Sequence, residues 1–253
     1  MIRVVLIGAG NVAINLAGAM QKTETVELIQ YFSRTDRNDH YFPDSISRAK
    51  DLDTLEDADV YLIAVKDEAI EQVASRLFGK KGLILHTSGS IPLKALGANP
   101  RRGVLYPVQT FSKDRKLDWK KIPLALETSS EEDMTLLRQL ASQLSNHIWE
   151  IDSNKRKKLH LAAVFANNFS NHMFALAQEL CQENQLDFDL VKPLIEETGS
   201  KVMTISPEEA QTGPARRHDL SVLADQSGQL DSQKEEIYNL ISKSIASRYP
   251  KIN

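Results

Sequence analysis

Arg3-Val4-Val5-Leu6-Ile7-Gly8-Ala9-Gly10-Asn11-Val12-Ala13 is the stretch on which the fold turns. Residues 3–7 form a short run that is continuously apolar after Arg3 and rich in β-branched side chains, as expected of a parallel strand buried on both faces. Two glycines interrupt it. Residues 11–20 then carry the apolar spacing of a helix. Strand, glycine turn and helix follow one another without a spare residue.

Working outward, the alternation continues. Further strands are predicted over residues 27–32, 60–65, 82–86, 103–106, 123–127 and 147–150. Between them lie an amphipathic helix over 66–78, with Ile70, Val73, Ala74 and Leu77 at helical spacing, and another over 130–144. The second opens on Ser129-Ser130-Glu131-Glu132-Asp133, a capping signature. Such alternation predicts an α/β fold, a doubly wound parallel sheet of Rossmann type. Beyond Asn154 no strand is legible, and helices are predicted over 155–184, 190–205 and 232–249. The break at 151–153 divides an expected dinucleotide-binding domain, 1–151, from an all-helical domain, 152–253.

A dinucleotide site needs a tight turn after the first strand, a second glycine where backbone approaches the pyrophosphate, and a small residue where helix packs on strand. Gly8, Gly10 and Ala13 stand at those places. The pyrophosphate would rest on the helix amides, at Asn11 and Val12, where the dipole favours an anion. The second strand decides between cofactors. A site for NAD usually ends this strand with Asp or Glu for the ribose hydroxyls. Here it ends Tyr31-Phe32-Ser33-Arg34-Thr35, with no acid before Asp36. Arg34 can pair with a 2′-phosphate and Ser33 can add a hydrogen bond, which favours NADP over NAD. An exposed loop arginine is the plainer alternative. Ala64-Val65-Lys66-Asp67 and His86-Thr87-Ser88-Gly89-Ser90 follow later strands, where open α/β sheets place ligands. Ala64, Val65, Lys66, Asp67, Thr87 and Ser88 are therefore cofactor candidates, although Asp67 could equally serve only as a helix cap.

Composition narrows the class. The 253 residues are 42% hydrophobic and 26% charged, with a net charge of −3, so no basic field calls for nucleic acid or a membrane surface. The lone Cys181 excludes an internal disulfide and any multi-cysteine metal site, and no metal is expected. It falls in an apolar helical pattern, where a free thiol packs as a small hydrophobe. No apolar run approaches the roughly 20 residues that span a bilayer. The N-terminus carries no signal peptide, which leads to the expectation of a cytoplasmic protein.

The glycine turn, the Ser33-Arg34 ending, Ala64-Val65-Lys66-Asp67 and His86-Thr87-Ser88-Gly89 together resemble the β-hydroxyacid dehydrogenase and pyrroline-carboxylate reductase group. More closely, the chain resembles a bacterial family that joins a Rossmann-like domain to a helical domain of unknown function, whose members carry provisional labels as NADP oxidoreductases. The carrying segments are Gly103-Val104-Leu105-Tyr106-Pro107-Val108-Gln109-Thr110-Phe111, the run His160-Leu161-Ala162-Ala163-Val164-Phe165-Ala166-Asn167-Asn168-Phe169, and Thr212-Gly213-Pro214-Ala215-Arg216-Arg217-His218-Asp219. In the last, His218 stands where the family pattern has glycine, which puts the backbone shape of that loop in question. The resemblance implies the fold and the cofactor class, and it supplies no substrate.

The helix after the boundary carries the candidate chemistry. Residues 160, 164, 168 and 171 share one face at α-helical spacing, placing His160, Asn168 and Asn171 together. Buried imidazoles and amides need partners, so this face is either a satisfied core or interface network or a site awaiting a ligand. In the resembled dehydrogenases a lysine and an asparagine of this helix meet the substrate, but Lys158 and Asn168 do not stand four apart, so that pair is not carried over. His160 is the better acid/base candidate, since an imidazole ordinarily titrates near neutrality. Asn168 would hold a substrate oxygen. Tyr106, Gln109, Thr110 and Asn171 would line the substrate side, and Arg216 would clamp a carboxylate or else sit in an ordinary loop. The expected function is NADP-dependent hydride transfer to or from a small carbonyl, imine or hydroxy-acid substrate. The alternative is a dinucleotide-binding sensor or regulatory subunit without chemistry, and a deazaflavin redox partner stays open. A homodimer through the helical domain is expected from its surplus of apolar residues.

Overall fold

The computed structural model describes residues 1–250. The described residues divide into two compact units, the first ending at residue 168 and the second beginning at 169.

The first unit is built on strands β1 (Ile2–Ile7), β2 (Val26–Phe32), β3 (Ser47–Ala49), β4 (Val60–Ile63), β5 (Leu83–His86), β6 (Arg102–Pro107), β7 (Leu124–Thr128) and β8 (Ile148–Glu150). They form a single eight-stranded sheet in the order β3-β2-β1-β4-β5-β6-β7-β8. Pairing is parallel from β3 to β6, antiparallel between β6 and β7, and parallel again between β7 and β8. The expectation of a wholly parallel sheet is corrected at this edge. Residues 108–123 return the chain from the end of β6 to the start of β7 without a crossover helix, and a strand reached that way runs antiparallel. Short β3 also lay outside the prediction, because Ser47-Arg48-Ala49 has no apolar run to announce an edge strand.

Alternate residues of the central strands feed opposite faces. Val4, Leu6, Leu62 and Leu85 meet α1 (Asn11–Met20) and α3 (Glu131–Leu144) through Ala13, Leu16, Leu137 and Leu140. Val5, Ile7, Tyr61 and Ile63 meet α2 (Ile70–Arg76) through Val73 and Ala74 on the other side. This double burial is why those strands are continuous apolar runs. The Ser130 side chain caps α3 by accepting from the Asp133 amide, and buried Asp133 pairs with Arg101 at 2.7 Å.

After β8, α4 (Ser153–Ala163) begins, capped by Asp152, and passes into a π-helical segment, Val164–Phe169. A single long α-helix was expected here. The i→i+5 bonding of the π segment widens the turn, so the spacing that put residues 160, 164, 168 and 171 on one face does not hold beyond Val164.

The second unit holds α5 (Ser170–Glu183), α6 (Lys192–Lys201), α7 (Pro207–Ala210), α8 (Pro214–Arg217), α9 (Leu220–Ser227) and α10 (Ser232–Arg248). The short helices α7, α8 and α9 were not foreseen, since each is too brief to show apolar periodicity. Caps specify two of them: Ser206 and Glu209 form a capping box on α7 and Asp219 caps α9, while α8 starts at Gly213 with no side-chain cap. His218 adopts the left-handed conformation, φ 56°, at the end of α8, so the loop turns as a glycine would turn it. Cys181 is buried here.

Candidate active site

Between β1 and β4 the strand order reverses, and the crevice beyond the carboxyl ends of the strands opens there. A cavity of about 470 Å³ occupies it. Gly8, Gly10, Asn11 and Val12 line one wall, Ser33 and Arg34 another, and Ala64, Val65, Lys66 and Thr87 the rest. Sequence reasoning named all of these, and the fold brings them to one place.

The glycine turn is explained by space. Gly8 has φ +131°, and a Cβ there would stand 2.2 Å from the Ala64 carbonyl oxygen. Only glycine lets β1 and β4 approach so closely at this point. A Cβ on Gly10, by contrast, would meet nothing within 4 Å, because Gly10 faces the open cavity. Gly10 is the N-cap of α1, no side chain caps the helix, and its first turn carries no acid. The leading amides of α1 are therefore left for an anion. These features fit a dinucleotide pyrophosphate.

No carboxylate ends β2. Exposed Arg34 lines the cavity, while the Ser33 hydroxyl donates to the Thr35 carbonyl at 2.7 Å and so keeps only its lone pairs for a ligand. Asn38 also lines the cavity, and sequence reasoning missed it. Its amide donates to the Ala9 carbonyl at 2.6 Å, and its oxygen accepts from Lys113 Nζ at 2.8 Å. Nothing in the local pattern of residues 36–42 announces such contacts, since both partners lie far away along the chain.

Asp67 and Ser88 lie outside this cavity. Asp67 is exposed and opens a 3-10 turn, Asp67–Ala69, whose N-cap, Lys66, makes no side-chain cap bond. Ser88 shapes the loop after β5: its Oγ accepts from the amides of Ser90 and Ile91, each at 3.1 Å, and its own amide donates to His86 Nδ1 at 3.1 Å. His86 is fully buried, and burial, with the nearby charge of Arg156, pushes its pKa down to about 3. It is a neutral structural histidine.

Two residues beyond Thr87, the same loop runs beneath a second group. The Tyr106 hydroxyl lies 3.0 Å from His160 Nδ1, with the two rings edge to face. A Cβ on Gly89 would stand 2.8 Å from His160 Cγ and Nδ1 and 2.8 Å from Tyr106 Cζ, so glycine is the residue that lets the pair rest on the loop. Burial pushes the Tyr106 phenol up, partly offset by the charge of Arg156, which keeps the hydroxyl protonated and able to donate. His160 is half-buried.

The other substrate candidates are placed differently. Asn168 is exposed in the π segment, and Asn171 is exposed on α5. Gln109 and Thr110 are exposed and bonded to each other, Thr110 N to Gln109 Oε1 at 2.9 Å. In the second unit, Arg216 donates to the carbonyls of Gln211 and Glu209 and lies over the Tyr249 ring at 4.9 Å.

Sheet order, glycine turn and switch-point cavity define a Rossmann protein built for a dinucleotide. Residues 3–86 match the family described as NADP oxidoreductase, coenzyme F420-dependent, and residues 122–245 match a domain of unknown function, DUF2520. A Bacteroides fragilis protein provisionally assigned as an NADP oxidoreductase is 42% identical, with a TM-score of 0.90 over 97% of this chain and 98% of that one. The chain belongs to this family of NADP oxidoreductases with a DUF2520 domain. A Thermotoga maritima protein shares the fold at 21% identity, TM-score 0.72, over 96% of this chain and 97% of that one. So does an NADP-bound pyrroline carboxylate reductase from Plasmodium falciparum, at 13% identity and TM-score 0.63, over 97% and 98%. No curated protein matches the chain.

Proposed function

We propose that the protein binds NADP in the switch-point cavity and acts as an oxidoreductase on a small carbonyl, imine or hydroxy-acid substrate, with His160 as its acid/base. The observation that carries this reading is a shared loop. Thr87 lines the cofactor cavity, and two residues later Gly89 lies under the Tyr106–His160 pair. When bound, NADPH supplies a hydride to the substrate carbon, and NADP⁺ takes one back in the reverse direction.

The remaining work belongs to the chain. The amides of Asn11 and Val12 hold the pyrophosphate, and Arg34 pairs with the 2′-phosphate, where a carboxylate would repel it. His160 Nδ1 shares a hydrogen bond with the Tyr106 hydroxyl, so Nε2 is the nitrogen that exchanges: the imidazolium would give its Nε2 proton to the oxygen or nitrogen that becomes negative during reduction, leaving a neutral ring with its proton on Nδ1. In oxidation the same nitrogen takes the proton back. Asn168 and Arg216 remain candidates for orienting the substrate, and the family description leaves room for a deazaflavin as the electron partner.

The helical unit supports assembly as a homodimer. It exposes Leu190, Leu194, Met203, Leu220 and Leu240 and carries a largely apolar cavity of about 370 Å³ between α5 and α10. Exposed apolar side chains beside an apolar cavity in one unit are what an interaction site requires.

Calorimetric titration with NADPH and NADH tests the cofactor assignment. Tight NADPH binding, weak NADH binding, and loss of the preference in Arg34→Ala are expected. Failure of both nucleotides to bind would overturn the assignment. NADPH binding with no turnover of any carbonyl or imine, unchanged in His160→Gln, would favour the sensor.

A further inference from the structure

Arg156 is fully buried, and its guanidinium is spent entirely inside the protein. From α4, Nε donates to the Ser88 carbonyl at 3.2 Å, Nη2 donates to the Ile91 carbonyl at 2.6 Å and to Ser153 Oγ at 3.3 Å, and Nη1 pairs with Glu127 of β7. Ser153 completes the cluster: its Oγ lies 2.9 Å from both Glu127 carboxylate oxygens and accepts from the Leu93 amide at 3.0 Å. A simple ion-pair staple would account for Glu127 alone. The two loop carbonyls point further, because Ser88 and Ile91 bracket Gly89, the residue on which His160 and Tyr106 rest.

Arg156 and His160 stand four apart on α4, so they share a face one turn from each other. The same loop segment is thus gripped from one turn of α4 and overlain by the next. We propose that Arg156 is a positioning residue: it clamps the Ser88–Ile91 loop to α4 and so fixes the His160 imidazole over the wall of the cofactor cavity. Its consequence for catalysis rests on the proposed oxidoreductase reading, but the clamp itself does not. The task suits arginine specifically. A planar fork with five donors can serve two carbonyls, a hydroxyl and a carboxylate at once, whereas a lysine ammonium has three donors at one point.

The test uses the full chain, with His160 ring nitrogens followed by ¹⁵N NMR and assigned by comparison with His160→Gln. In the wild type, one neutral tautomer is expected, held by Tyr106. In Arg156→Lys, the His160 nitrogen shifts should move toward tautomer averaging, while NADPH affinity stays within about twofold, since the Gly8–Arg34 end of the cavity is untouched. If a substrate is in hand, kcat should fall on the order of 10-fold or more with little change in NADPH KM, as expected for a misplaced proton carrier. Should Arg156→Lys fail to fold, Glu127→Gln keeps the carbonyl bonds and removes one charge, and a smaller shift of the same sign is expected. Unchanged His160 nitrogens in whichever variant folds would overturn the proposal, and so would a parallel collapse of NADPH affinity. If the wild type does not bind NADPH, the oxidoreductase reading fails while the nitrogen shifts still decide the clamp.

Discussion

The Tyr106 hydroxyl and His160 Nδ1 lie 3.0 Å apart, joining the sixth strand of the sheet to the first helix beyond it. The contact is possible because Gly89 presents no side chain beneath either ring. Alanine at that position would place a methyl 2.8 Å from both. Gly89→Ala should therefore push the pair apart, at a cost of about 1–3 kcal/mol if the neighbours yield only in part. Thermal unfolding measures the cost, and NADPH titration should show the cofactor cavity intact. A variant as stable as wild type, with unmoved His160 resonances, would contradict this account of the loop.

The two glycines of the turn should separate stability from binding. Gly8→Ala forces a side chain onto positive φ and into the Ala64 carbonyl, so a loss of roughly 2 kcal/mol or more is expected. Gly10→Ala meets no protein atom and should change stability by less than about 1 kcal/mol. Its methyl would project into the cavity where the pyrophosphate approaches the backbone. NADPH affinity should then fall at least about tenfold, or 1.4 kcal/mol. Equal effects of the two substitutions on both measurements would refute the division.

Arg34→Ala isolates the phosphate preference. A charge-assisted bond to the 2′-phosphate is worth roughly 1.5–3 kcal/mol, so NADPH should weaken about 10-fold to 100-fold while NADH changes little. Parallel weakening of both nucleotides would mean that Arg34 acts on the ribose or the turn and not on the phosphate.

Much of this site was legible in the sequence because it is local. Gly8, Gly10 and Ala13 sit within one strand–turn–helix, and their spacing together with that position implies a phosphate turn. The Ser33-Arg34 ending is read the same way. What escaped was non-local or broke the assumed period. Asn38 matters through Ala9 and Lys113, which lie far from it in sequence. Arg156 stands in sequence among Lys155, Lys157 and Lys158, which are exposed, yet it is buried, because its turn of α4 lies against the Ser88–Ile91 loop. The face expected to unite His160 with Asn168 and Asn171 presumed uninterrupted α-helix, and the π segment removes that presumption. The antiparallel turn to β7 could not be seen either, since direction leaves no mark on an apolar run.

His86 predicts an acid-sensitive fold. Its pKa in the native protein is about 3, against 6.5 for an ordinary imidazole, because burial and the charge of Arg156 disfavour the cation. Between those values the unfolded chain binds the extra proton, so this histidine's share of stability is intact above about pH 6.5 and is lost as pH falls toward 3. The limiting slope is about 1.4 kcal/mol per pH unit. Urea unfolding at pH 7, 6 and 5 should show the wild type losing stability more steeply than His86→Gln, which cannot take the proton. Parallel slopes would remove His86 from the acid response.

Assembly can be tested at the apolar cavity of the helical unit. Ile241 lines that cavity from α10 and is 40% exposed. A charge at so exposed a position should cost an isolated helical unit little, since surface substitutions usually stay within about 0.5 kcal/mol. In a dimer that covers the cavity, the same charge would be buried without a partner and would cost far more. Sedimentation at micromolar concentration should therefore give twice the 28.4 kDa chain mass for the wild type and the single mass for Ile241→Glu, with the helical content of both unchanged. A wild type that sediments as a monomer would leave the exposed leucines of α6, α9 and α10 without the partner proposed for them. A variant that remains dimeric would move the interface away from the α5–α10 cavity.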